Sequence, residues 1–264
     1  MPGHAVADAD ELVHLTVEHG VATITLDSPH NRNALSRRLT GELTAQLTAA
    51  LADEAVRAIV LAHTGPAFCA GADLSEASGN DLEAMQAATR SLLSLLRTIV
   101  EAPKPVVALV RGAVRAGGTG IVGACDIALV SDAVTFAFTE VRLGLAIAVI
   151  SLPLLPRLEP RAASRYILTG ESFAAAEAVR IGLVTAAVPP DGLEAALQEV
   201  LTGLRAGSPQ GLAESKKMVT RDVRREFQEH GEEMVGLSAR LFSSAEAQEG
   251  MRSFLERRPP RWDR

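Results

Sequence analysis

Phe68-Cys69-Ala70-Gly71-Ala72-Asp73-Leu74 follows a branched apolar run, Ala58-Ile59-Val60-Leu61-Ala62, with the length and composition of a buried strand. Ala70, Gly71 and Ala72 then leave the backbone almost bare, so a ligand can come close to main-chain N–H groups. A second bare stretch, Ala116-Gly117-Gly118-Thr119-Gly120, follows another strand-like run, Val106-Val107-Ala108-Leu109-Val110, and precedes Ile121-Val122-Gly123-Ala124, which suits a helix. Two strand exits that each offer a free N–H can hold one oxyanion between them. Either stretch alone reads equally as a tight turn that needs glycine. Their order, and what lies downstream, makes them specific together.

Composition narrows the choice of partner. The chain of 264 residues has a net charge of −6 and no basic run, which argues against nucleic acid. Aromatic residues are only 3% of the chain, so Ala, Val and Leu must build the core and no stacking platform for single strands is available. The two cysteines, Cys69 and Cys125, form no disulfide framework and suit a reduced, cytoplasmic protein. Cys69 has no His or Lys beside it in sequence and reads as a small packed thiol. The acidic start, Met1 to Glu11, lacks the pattern of a signal peptide, and the most apolar tract, Leu143 to Leu155, is too short to span a membrane and is broken by Pro153. The six histidines show no ligand spacing, and no metal is expected.

Along the chain, segments 12–17 and 21–26 flank His19-Gly20 as a β-hairpin. Ser36 caps a helix that reaches about Asp53, with Leu39, Leu43, Leu47 and Leu51 on one face. Ser78-Gly79-Asn80 breaks the chain before a helix from about Asp81 to Val100. Short strands are expected at 126–130 and 134–138, a helix at 173–181 and a strand at 183–188. After Pro189-Pro190 the chain is almost wholly helix-forming. Strands that alternate with helices and then give way to helices indicate an α/β core, residues 1–200, with a helical region, 201–264.

These motifs resemble the crotonase family, the enoyl-CoA hydratases and isomerases, from Leu12 to Trp262. The resemblance implies a spiral of ββα units with a C-terminal helical trimerisation region, a homotrimer or homohexamer, and an acyl-CoA substrate with no separate cofactor. It makes Ala72 and Gly117 the two oxyanion-hole donors and sets Cys69, Ala70, Asp73, Leu74 and Ser75 on the loop that borders the substrate. Pro29-His30-Asn31-Arg32-Asn33-Ala34-Leu35 is similar to the segment along the CoA nucleotide. Arg32, permanently charged, is its phosphate candidate. Leu168-Thr169-Gly170-Glu171, Gly182-Leu183-Val184 and the ending Glu249 to Arg258 match further family signatures. Asp73 reads as a loop cap or as a positioning group, the cap being preferred.

The chain also departs from the family pattern. Of the two carboxylates that face the double bond in the hydratases, the first falls on Gly120 and the second on Glu140. Ala146 to Ser151 replaces the usual proline- and glycine-rich turn, and with Gly120 this is similar to the subgroup that hydrates branched glutaconyl-type CoA esters. Three functions compete. A hydratase adds water to a 2-enoyl-CoA with Glu140 as acid and base, a Δ3,Δ2-enoyl-CoA isomerase moves a proton with Glu140 alone, and an acyl-CoA-binding protein has lost its chemistry. The hydratase ranks first. Arg115 or Arg142 is expected near the acyl pocket, where either guanidinium would meet a distal carboxylate.

Overall fold

The computed structural model describes residues 11–76 and 82–262; the acidic start and the break at Ser78-Gly79-Asn80 lie outside them. The hairpin is present. Strands β1 (Val13–Glu18) and β2 (Val21–Leu26) pair antiparallel through His19 and Gly20, whose φ angles of 49° and 77° make the turn that matches strand twist. Helix α1 (Arg37–Ala52) begins at its cap, where the Ser36 hydroxyl accepts from Leu39 N–H at 3.1 Å, and it buries Leu39, Leu43 and Leu47.

The chain then winds through repeated strand–strand–helix units. β3 (Ala58–His63) and β4 (Ala67–Cys69) lead to α2 (Leu82–Glu101). β5 (Val106–Val110) and β6 (Ala113–Arg115) lead to α3 (Gly117–Ala124). β7 (Ile127–Ser131) and β8 (Thr135–Ala137) lead to a 3₁₀ turn, Glu140–Leu143, and then to α4 (Ala148–Leu154) and α5 (Pro160–Thr169). β9 (Phe173–Ala174), α6 (Ala175–Arg180), β10 (Ala186–Val188) and α7 (Leu193–Ala206) follow. Segment 173–181 is thus a short strand followed by a helix, and the strand expected at 183–188 shrinks to three residues.

The first strand of each unit enters a six-stranded sheet of order β1-β2-β3-β5-β7-β10, and the second enters a four-stranded sheet, β4-β6-β8-β9. The large sheet is parallel beyond the hairpin. Its central strands are apolar on both faces because both are covered. Ile59, Leu61, Val106 and Ala108 point to the main core, while Ala58, Val60, Val107 and Leu109 alternate to the side covered by Leu193, Leu197 and Leu201 of α7.

The bare loops therefore do not leave the large sheet, as the sequence suggests. The chain first turns a corner between β3 and β4, and again between β5 and β6. The two corners nest: a Cβ on Gly112 would stand 2.4 Å from Pro66 O. Since β4 and β6 are neighbouring parallel strands, their two exits emerge side by side.

The expected boundary at residue 200 falls inside α7, whose apolar face belongs to the sheet. Beyond α7 the chain continues as α8 (Pro209–Val219), α9 (Arg221–Phe242) and α10 (Ala245–Leu255). Lys216 of α8 is buried with its Nζ 2.7 Å from Asp126 Oδ2, and it also donates to the Ile99 and Lys104 carbonyls. Helix α9 lies across α2 and α4 and buries Val223, Phe227 and Val235. The C-terminal helices thus fold back on their own chain, and Met251 is buried without a partner subunit.

Candidate active site

In the first loop the main-chain N–H groups can be accounted for one by one. Ala70 N–H donates to Arg32 O at 3.1 Å, Gly71 N–H to Cys69 Sγ at 3.5 Å and Asp73 N–H to Leu35 O at 3.4 Å. Ala72 N–H alone among residues 70–73 has no acceptor among the described residues. Gly71 needs its glycine: φ is 94°, and a Cβ there would stand 2.8 Å from Ala116 Cβ.

The second loop turns through Ala116 into α3. Ala116 has φ 46° and ψ −122°, a conformation rare for a residue with a side chain, and its N–H is held by Ala137 O at 3.1 Å. Gly117 is the first helical residue, where an N–H has no acceptor within the helix and the helix dipole favours negative charge. The helix that Ile121 to Ala124 suits in sequence thus begins earlier, at Gly117. A Cβ on Gly71 would stand only 3.6 Å from Gly117 N, so the two loops touch where both free amides lie.

The pairing of β6 with β8 brings the third element in. Arg115 lies opposite Ala137, and three residues past Ala137 the chain enters the 3₁₀ turn that carries Glu140. Glu140 Oε2 is shut off from solvent and has no hydrogen-bond partner among the described residues. Burial raises the carboxyl from its ordinary 4.5 to about 7. It makes no ion pair with Arg142, whose Nε reaches Thr169 O at 3.4 Å. The turn is held from behind: Leu145 N–H donates to Glu140 O at 3.0 Å, and α10 lies against it backbone to backbone. A Cβ on Gly250 would stand 2.5 Å from Leu143 O, which gives the C-terminal signature a role in seating Glu140.

Position 120 is closed, not roomy. A Cβ on Gly120 would stand 2.5 Å from Ile150 Cγ2 and 2.8 Å from Ile150 Cβ. One turn on, Gly123 receives Leu154 Cδ2 at 2.6 Å in the same sense. The glycines of α3 thus let α4 dock closely, and Ile150, 4% exposed, fills the place where a side chain on residue 120 would begin.

Other residues sort as follows. Asp73 caps its own loop: its Oδ1 accepts from Ser75 N–H at 3.0 Å and from Ser75 Oγ at 2.6 Å, and its Oδ2 accepts from Asn31 Nδ2 at 3.3 Å. Cys69 is fully buried under Gly118, and burial pushes its thiol up to about 12, so it supports the loop instead of facing a ligand. Leu74 is half-buried and Ser75 exposed on the outer side of the same loop. Arg32 is exposed, and its guanidinium has no hydrogen bond or ion pair among the described residues. Arg115 is committed to the edge of β8, donating to Thr135 Oγ1 at 2.8 Å and to Val114 O at 2.9 Å. Arg115 is thus tied to its own sheet edge, and Arg142 is exposed with its Nε on Thr169 O.

Sequence reasoning missed three residues. Asn33 is buried, with Ser28 N–H donating to its Oδ1 at 2.7 Å and its Nδ2 donating to Ala67 O at 2.8 Å. Ile150 was visible only as part of an apolar run. Leu35 was visible only as the end of the polar loop, and nothing in the linear spacing signalled its contacts with both donor loops.

Residues 16–264 match the model of the enoyl-CoA hydratase/isomerase family, and the chain belongs to that family. The solved structure of an enoyl-CoA hydratase from Mycobacterium avium shares 49% identity, with a TM-score of 0.89 over 96% of this chain and 99% of that one. Mevalonyl-coenzyme A hydratase sidH of Aspergillus fumigatus is 32% identical, over 95% of this chain and 94% of its own length. The mouse mitochondrial enoyl-CoA hydratase domain-containing protein 3 is 31% identical, over 93% of this chain and 82% of its own. The fold is the crotonase fold that the motifs imply, and the family acts on acyl-CoA thioesters. Among the described residues no helix is long and apolar enough to cross a membrane.

Proposed function

We propose that the protein is an enoyl-CoA hydratase that adds water to the double bond of a 2-enoyl-CoA thioester. The observation that carries this is Glu140, whose Oε2 is buried without a partner among the described residues, in the 3₁₀ turn that follows β8, the strand neighbouring the one whose exit offers Gly117 N–H. The Ala72 and Gly117 amides bind the thioester oxygen and stabilise it most when negative charge builds there, which lowers the barrier. Glu140, held near neutrality, takes a proton from water and returns one to the α carbon. Arg32 takes a phosphate of CoA, and Ala70, Asp73, Leu74 and Ser75 border the CoA moiety. The hydratase names of relatives above 30% identity support this over other family chemistry.

An isomerase is the second reading, favoured by one observation. Ile150 occupies the place of a second carboxylate, and moving a proton between the α and γ carbons needs only one base. A protein with decayed chemistry would have no reason to keep a buried, unpaired carboxyl beside two free amides. We further propose a homotrimer or a pair of trimers, on the strength of Leu168, Met218, Val219 and Phe254, which are 72%, 69%, 78% and 62% exposed. Sedimentation as a monomer at micromolar concentration would remove that part. The two buried free cysteines suit a reducing compartment.

The test is one absorbance assay with crotonyl-CoA and a 3-enoyl-CoA. Loss of conjugation in the first supports the hydratase, gain of conjugation in the second supports the isomerase, and neither supports a binding protein. Glu140→Gln keeps size and hydrogen bonding, and is expected to lower the rate about 100-fold or more while leaving CoA-ester binding intact. A variant that retains most of the rate moves the acid/base role to another group.

A further inference from the structure

We propose that Leu35 is the positioning residue that sets the two oxyanion donors relative to each other; this rests on the assignment of the Ala72 and Gly117 amides to that role. Leu35 touches both loops by different means. Its backbone forms an isolated parallel bridge with Ala72: Leu35 N–H donates to Gly71 O at 2.7 Å, and Leu35 O accepts from Asp73 N–H at 3.4 Å. In such a bridge the central residue of the partner strand, here Ala72, points its own N–H away from the pairing. The bridge therefore both grips the first loop and leaves its donor free. The side chain of the same residue meets the second loop, with Leu35 Cδ1 2.8 Å from the place a Cβ on Gly117 would take.

Leu35 is itself held from both directions. Upstream, the Asn33 amide is bonded to Ser28, Thr64 and Ala67. Downstream, Ser36 caps α1. The loops also meet directly, where Ala116 Cβ lies 2.8 Å from the Cβ position of Gly71 and Cys69 Cβ lies 2.7 Å from that of Gly118, and Leu35 braces them from the side. Leu35 is half-buried, so shortening it removes a spacer between donors more than it empties the core. Donors act on a developing oxyanion only when they are already aimed at it, and a displacement of about 1 Å in such a site costs on the order of 100-fold in rate.

The test uses Leu35→Ala and Leu35→Val, which withdraw the δ carbon, and Leu35→Met, which keeps the reach. With Leu35→Ala, kcat is expected to fall about 30-fold with KM within about threefold, since the loss concerns the transition state. A chromophoric cinnamoyl-CoA thioester reads carbonyl polarisation directly: its absorption moves to the red when two aligned amides hold the oxygen. The wild type is expected to give the full red shift, Leu35→Met most of it, and Leu35→Ala and Leu35→Val less than half. Where Leu35→Ala does not fold, Leu35→Val gives the same reading. A folded Leu35→Ala or Leu35→Val that binds the thioester with the full red shift overturns the role of Leu35 and leaves the oxyanion hole standing. A wild type that leaves the absorption unshifted overturns the oxyanion hole and this role together.

Discussion

The two sides of the site are built on opposite principles. The proposed oxyanion side is made of backbone: the N–H groups of Ala70, Gly71 and Asp73 are tied, and that of Ala72 is left without an acceptor among the described residues. Its side chains are small, and what matters is where strand exits are pinned. The proposed acid/base side is one side chain, Glu140, with a carboxyl oxygen that has no partner among the described residues and a turn held by α10 from the far end of the chain. Hydrogen bonds define the first by geometry, and removal of water defines the second by charge state. The first side is insensitive to pH, and the second takes its proton affinity from its surroundings.

Three experiments press on this contrast. The largest effect is expected at Gly120, where Ile150 fills the place of a side chain. Gly120→Glu forces a charged side chain against Ile150 Cγ2 and is expected to cost about 4 kcal/mol in urea unfolding. Ile150→Ala creates a cavity and costs about 3 kcal/mol alone. The pair together is expected to be less destabilised than the sum by 1 kcal/mol or more, on the order seen for residues in contact. Strict additivity would mean that Ile150 does not close this position.

A smaller effect is expected from pH. Glu140 titrates near 7 in the folded chain, above its ordinary 4.5, so the native state holds this proton more tightly than the unfolded state. That contribution to stability is fully present below 4.5 and is lost as pH rises through 7. Glu140→Gln removes the titration. It is expected to unfold like the wild type near pH 4, and to be more stable by about 2 to 3 kcal/mol near pH 8. An equal difference at both pH values would show that the carboxyl is not desolvated.

The smallest effect belongs to the oxyanion side. Ala116 holds φ 46° to turn the chain into α3, which costs a residue with a Cβ about 1 to 3 kcal/mol. Ala116→Gly relieves that strain at some entropic cost, and is expected to stabilise the chain by about 1 kcal/mol in thermal unfolding. A loss of stability would show that the alanine methyl packs favourably against Gly71.

Much of this was legible in one dimension because it depends on neighbours in sequence. The hairpin rests on His19-Gly20, α1 on Ser36 and its leucines, and the donor loops on runs of small residues after strands. The resemblance singled out Glu140, and the structure adds that its Oε2 is buried without a partner among the described residues. What misled was the second sheet. Ala67–Cys69 and Ala113–Arg115 are three-residue strands, too short to show an alternation, so the loops were attached to the wrong strand exits. The free guanidinium expected from Arg115 was spent on Thr135, a partner twenty positions away.

The sequence alone determined the periodicities, the caps and the placing of bare backbone after strands, because each depends on a few adjacent residues. Only the tertiary structure decided which amides stay free, that Ile150 takes the room at Gly120, and that burial lifts Glu140. Those outcomes arise where β4 lies beside β6, where α4 docks on α3 and where α10 covers the 3₁₀ turn. Desolvation and exclusion of a side chain are properties of surroundings contributed by distant segments, and no local pattern carries them.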